Sequence, residues 1–76
     1  ELDFIPMNIC APFAGIVHYR VDPGERVETG TIVATIEAVK LDAPLLAPGP
    51  GIVGQKLCAD YADVEGGQAV LTLEEG

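Results

Sequence analysis

The chain has 76 residues and a formal net charge of -8, with twelve acidic side chains set against Arg20, Arg26, Lys40 and Lys56. A chain this short is expected to form one domain over residues 1–76, burying about 60–65% of the surface it exposes when unfolded. That leaves little framework around a cavity and disfavours a stand-alone enzyme, while the acidic balance disfavours nucleic-acid and membrane-surface partners.

The chain does not open on Met, as expected of a domain cut from a longer protein. No apolar run approaches bilayer-spanning length, and no basic region followed by an apolar stretch marks a leader. With only Phe4, Phe13, Tyr19 and Tyr61 as aromatic residues, the core must come from Val, Ile, Leu and Ala.

In chain order, strands are expected near Leu2–Ile9, Gly15–Val21, Thr31–Glu37, Leu41–Leu46, Gly51–Leu57 and Ala69–Leu73. Gly and Pro punctuate the chain so often that little room remains for a helix. Thr31 to Ala43 is the longest uninterrupted run, and its apolar spacing also fits a helical face. Thr31, Ile32, Val33, Thr35 and Ile36 are β-branched, however, which favours a strand.

A repeat sets the architecture. Ala11-Pro12-Phe13-Ala14-Gly15-Ile16-Val17 returns as Ala47-Pro48-Gly49-Pro50-Gly51-Ile52-Val53. Val27-Glu28-Thr29-Gly30 is answered by Val64-Glu65-Gly66-Gly67, and Val33-Ala34-Thr35-Ile36-Glu37 by Val70-Leu71-Thr72-Leu73-Glu74. Two similar β units related by a pseudo-two-fold axis are expected, as a flattened all-β barrel or sandwich of two antiparallel sheets. Short extended pieces at Arg26–Glu28 and Asp63–Glu65 are expected to pair across the repeat. Gln55 to Glu65 has apolar residues at helical spacing, but its counterpart contains the turn Asp22-Pro23-Gly24, so a turn is expected there too.

Between the halves lies Ile36-Glu37-Ala38-Val39-Lys40-Leu41-Asp42. This segment resembles the attachment motif of the biotinyl domains of biotin-dependent carboxylases, Glu-Ala/Ser-Met-Lys-Met, through Glu37, Ala38 and Lys40. Val39 and Leu41 stand where the family usually has Met. Gly30, ten residues before Lys40, and Pro48 and Gly51 after it also fit the family's spacing, as do Pro12-x-x-Gly15 and Gly24-x-x-Val27-x-x-Gly30.

The resemblance implies a barrel-sandwich of the biotinyl/lipoyl type with biotin on Lys40. It implies a biotin protein ligase that reads Glu37, Ala38, Val39 and Leu41, and carboxylate shuttled between a biotin carboxylase and a carboxyltransferase. Such a domain is a non-catalytic carrier. Physical chemistry points the same way, because a lysine on a protruding turn can enter several active sites on one flexible stem.

Val39 is stiff at χ1 and poorly suited to positive φ, so the tip requires either another turn geometry or strain. Tyr61 stands where the repeat has Gly24, which predicts a different turn in the second half. A lipoyl carrier of the same fold usually places Asp directly before its lysine, where this chain has Val39. An unmodified lipoyl-like interaction module, as in membrane-fusion adaptors, usually carries a long helical insertion near the lysine that this chain lacks.

The remaining residues have plain readings. His18 is expected to be a simple polar surface residue, Lys56 a surface lysine, and Glu74-Glu75 a solvated tail. Cys10 and Cys58 lack metal-ligand spacing and are expected to be buried or half-buried reduced thiols, which fits a cytoplasmic protein. No residue is singled out as catalytic or as a metal ligand.

Overall fold

The structure, a computed structural model, describes residues 7–74. It contains eight strands and, among the described residues, no helix. In order they are β1 (Met7–Cys10), β2 (Gly15–Tyr19), β3 (Arg26–Val27), β4 (Ile32–Glu37), β5 (Asp42–Leu46), β6 (Gly51–Lys56), β7 (Asp63–Val64) and β8 (Ala69–Glu74). Each expected strand is present, with ends shifted by one or two residues. Of the first, the stretch from Leu2 to Pro6 lies outside the described residues.

Two four-stranded antiparallel sheets form, in the orders β1-β8-β6-β3 and β5-β4-β2-β7. Exchanging β1 with β5, β2 with β6, β3 with β7 and β4 with β8 turns one sheet into the other. The pseudo-two-fold axis expected from the repeat is therefore built into the topology. The short strands join the halves as anticipated: β3 pairs with β6 (Arg26↔Ile52) and β7 with β2 (Ile16↔Asp63). Each sheet draws two strands from each half, so neither half can bury its apolar face alone.

The core obeys the same symmetry. Ile9, Ala11, Val17, Val27, Val33, Ala34 and Ile36 are buried, and so are their repeat partners Leu45, Ala47, Val53, Val64, Val70, Leu71 and Leu73. Every one is aliphatic, as the scarcity of aromatic residues requires. Burying each Val, Leu or Ile contributes on the order of 1.5–3 kcal/mol. Val33 and Ala34 are buried consecutively because the register of β4 against β5 shifts between Ile32 and Ala34, a bulge that turns both inward.

The turns repeat as well. Glu25 N–H donates to the Asp22 carbonyl, with Gly24 at φ 92. Pro at the second position and a positive φ at the third form a type II pattern. In the second half Ala62 N–H donates to the Ala59 carbonyl with Tyr61 at φ 66. Even the flanking bonds correspond, Gly24 N–H to the Val53 carbonyl and Tyr61 N–H to the Val17 carbonyl. The expectation that this turn would differ is corrected. The ladder bonds on either side impose the geometry, and Tyr61 accepts a left-handed conformation that is costly for a bulky residue.

Both cysteines are free thiols. Cys58 is half-buried as expected; Cys10 is exposed, because its side chain points outward from the β1 edge strand. They flank β8, with Cys10 paired to Ala69 on one side and Cys58 Sγ 3.9 Å from the Ala69 carbonyl on the other.

Tyr19 locks the two sheets together. Its hydroxyl donates to the Val70 carbonyl at 2.6 Å and accepts from Cys58 N–H at 3.2 Å. Burial pushes the phenol above its ordinary value of 10.0, with the Cys58 N–H bond acting in the opposite direction. The folded state therefore favours the protonated phenol. Its contribution to stability is complete below pH 10 or so and is lost as the pH rises through the higher folded-state value.

Tyr19→Phe leaves Cys58 N–H without its acceptor, whereas the Val70 carbonyl keeps Leu57 N–H. A loss of about 1–2 kcal/mol at neutral pH is expected. Melting temperatures from pH 8 to 11 should fall less steeply for the variant than for the wild type. Parallel curves would show that Tyr19 does not carry the alkaline loss.

Candidate functional site

β4 and β5 form the hairpin that joins the two halves, with Glu37 opposite Asp42 at its base. Beyond that pair a single backbone bond, Ala38 N–H to the Leu41 carbonyl at 2.8 Å, closes the loop. Val39 and Lys40 form its tip. Val39 is 98% exposed and Leu41 58%, and Lys40 is exposed as well. Among the described residues the Lys40 side chain makes no hydrogen bond or ion pair. The amine thus stands on its full four-carbon stem, directed by a two-stranded ribbon and unencumbered by neighbours.

Among the described residues other than glycine, only Tyr61 has a positive φ. Val39 is therefore not forced into the left-handed region, and the tip uses another turn geometry. A shallow groove runs along one flank of the hairpin, lined by Ala14, Gly15, Ile16, Glu37, Ala38, Val39 and Asp63. Gly15 is needed for this close approach, since a Cβ there would lie 2.6 Å from the Glu37 carbonyl oxygen and 2.9 Å from Ile36 Cγ2.

Of the residues singled out in the sequence, Glu37, Ala38, Val39, Lys40 and Leu41 share the hairpin. Gly30 lies at the far end of β4 with φ 87, its N–H bound to the Ala47 carbonyl. Gly51 begins β6, buried against Glu74 and Leu73. These spacing residues shape the frame and lie outside the hairpin.

Three plain readings need correction. His18 is half-buried: its Nε2 lies 2.8 Å from Glu37 Oε1, and its ring packs edge-on to Tyr61 with centroids 4.6 Å apart. Pairing β2 with β4 brings His18 diagonally against Glu37. The missed signal was the register: once Val17 faces Ile36, the diagonal follows.

Lys56 is more than a solvated lysine, because its ammonium reaches Asp22 Oδ1 at 3.2 Å and lies 5.1 Å from the Tyr19 ring centroid. Glu74 belongs to β8 opposite Ile52, and Glu75 lies outside the described residues. Among the described residues no three of His, Cys, Asp and Glu gather as metal ligands. No helix among them is long and apolar enough to cross a membrane.

Solved structures that share this fold include the following two. One is a single-chain, multi-domain long-chain acyl-CoA carboxylase, with TM-score 0.85 and 22% identity over 93% of this chain. The other is an aspartoacylase family protein from Mesorhizobium loti, with TM-score 0.81 and 19% identity over 90%. This chain spans 7% of the length of the first and 22% of the second. A model of the biotin/lipoyl family, described as "Biotin-requiring enzyme", matches residues 5–73. Pseudo-symmetric sheets, a central lysine hairpin and this match over nearly the whole chain lead to one conclusion: the chain belongs to the biotin/lipoyl attachment family.

Proposed function

We propose that this chain is a biotin carboxyl carrier domain of a biotin-dependent carboxylase acting on an acyl-CoA or related acceptor, with biotin joined to Lys40 Nζ as an amide. The observation that carries the reading is Lys40 itself, unpaired among the described residues at an exposed hairpin tip within Glu37-Ala38-x-Lys40. The residues fit the group: an exposed primary amine is the donor an amide requires, and nothing in the tip obstructs it.

When attached, biotin supplies a ring nitrogen that carries carboxylate; the domain supplies reach and orientation. Glu37, Ala38, Val39 and Leu41 form the surface that a biotin protein ligase reads around the amine. Biotin carboxylase and carboxyltransferase domains or subunits are the further partners, in the cytoplasm, with neither nucleic acid nor membrane involved. The domain itself is non-catalytic.

Val39, where lipoyl carriers usually have Asp, favours biotin over lipoate. A second reading is an unmodified lipoyl-like interaction module on the same fold, which an aspartoacylase family protein also contains. Co-expression with a biotin protein ligase or with a lipoate ligase, followed by intact mass, separates all three. One biotinyl group is expected. A lipoyl group, or no added mass under either condition, would sink the biotin reading.

A further inference from the structure

At the base of the Lys40 hairpin two carboxylates face each other. Glu37 closes β4 and Asp42 opens β5, and they are directly opposed in the ladder. Opposed residues on neighbouring strands share a face, and like charges there push the strands apart. Past this pair only the Ala38 N–H bond to Leu41 holds the hairpin shut. A tip closed by one bond opens readily unless something relieves its base.

His18 is placed to relieve it. From the other side of β4 its Nε2 reaches Glu37 Oε1 at 2.8 Å, drawing the carboxylate toward β2 and away from Asp42. The ring is braced by Tyr61, in the left-handed turn where the other half has glycine. Arg20, Thr35 and Asp42 line the same cleft with His18 and Glu37, Asp63 stands across from Ile16 on β7, and the Asp60 carboxylate is held by Tyr19 N–H. Among these groups His18 alone bonds Glu37.

We propose that His18 is a positioning residue for the modification of Lys40: by holding the Glu37 carboxylate off Asp42 it keeps the base of the hairpin closed and Lys40 presented for attachment. The attachment half of this statement rests on the carrier reading above; the closure half does not.

The test therefore reads both. Amide hydrogen exchange at Ala38 is measured by NMR for wild type, His18→Ala, His18→Gln and His18→Ala/Asp42→Asn, alongside KM and kcat for biotin ligation. In His18→Ala the Ala38 amide should exchange about two- to fivefold faster. KM should rise by about twofold or more with kcat unchanged, because the ligase must then order the tip on binding. His18→Gln, which keeps an N–H donor, should recover most of both effects. The double variant should recover them as well, since removing the Asp42 charge makes the relief unnecessary.

If His18 serves only packing, Asp42→Asn will not rescue, and that result overturns the proposal. So does unchanged Ala38 exchange in His18→Ala. A wild-type chain that takes no biotin sinks the carrier reading, and the exchange data still decide whether His18 closes the hairpin.

Discussion

Lys40→Arg is expected to abolish biotin attachment completely, while Lys56→Arg leaves it at the wild-type level. Arginine preserves the positive charge and nearly the length of the side chain, so any loss isolates the chemistry of the amine. Amide formation needs a nitrogen that can shed a proton and attack an activated carboxyl group. A guanidinium stays charged throughout the accessible pH range and offers no such lone pair. Lys56 is the internal control. Its ammonium is engaged with Asp22 and lies 5.1 Å from the Tyr19 ring centroid, and its backbone belongs to β6, paired there with Leu71 of β8. An enzyme that modified it would have to break these contacts and act on a paired strand instead of a protruding turn.

Because Lys40 is exposed and makes no hydrogen bond or ion pair among the described residues, Lys40→Arg should change stability by no more than about 0.5 kcal/mol. Peptide mass spectrometry after co-expression with the ligase is the measurement. Biotin on Lys56, or retained in the Lys40→Arg chain, would overturn the assignment.

The fold was legible in the sequence because symmetry doubled each local signal. A single Val-Glu-Thr-Gly says little, but its echo as Val64-Glu65-Gly66-Gly67 placed two short strands and two turns together. The same echo correctly overruled the helical spacing of Gln55 to Glu65. At Tyr61 chemical type pointed away from the repeat: a side chain that disfavours positive φ suggested a different turn. The surrounding ladder won, since Tyr61 N–H and Val17 N–H both carry bonds of that turn, to the carbonyls of Val17 and Ala62.

The hairpin lysine was legible from its motif and its spacing to Gly30, Pro48 and Gly51. The His18–Glu37 pair was not. It depends on register between strands separated by a connection of twelve residues, Arg20 to Thr31. A one-residue slip would send every side chain to the other face. Composition cannot supply that register. The turn at Asp22-Pro23-Gly24 does not join β2 to β4 directly, so its chemistry could not supply it either.

The largest stability effects are expected at the two glycines where the halves come closest to their own backbones. Gly15 and Gly51 are repeat partners, each opening a strand, and neither has a positive φ. What requires glycine is close approach. A Cβ on Gly15 would meet the Glu37 carbonyl oxygen at 2.6 Å, and one on Gly51 would strike the Glu74 carbonyl oxygen. Backbone in a paired strand cannot swing aside as a flexible side chain can. Each substitution to Ala should therefore cost about 2–3 kcal/mol, lowering the melting temperature by roughly 10–20 °C in a domain of this size.

The pair separates stability from presentation of the lysine. Gly51→Ala displaces the end of β8, on the sheet that does not carry the hairpin; Gly15→Ala displaces Glu37 at the hairpin's base. Well below both melting temperatures, Gly15→Ala should slow biotin incorporation severalfold while Gly51→Ala keeps the wild-type rate. Thermal melts by circular dichroism and initial incorporation rates at low temperature check the two halves of this expectation. Equal slowing by both variants would mean that global stability governs attachment. An unchanged rate in Gly15→Ala would mean that the base of the hairpin tolerates displacement, and that presentation of Lys40 depends on the tip alone.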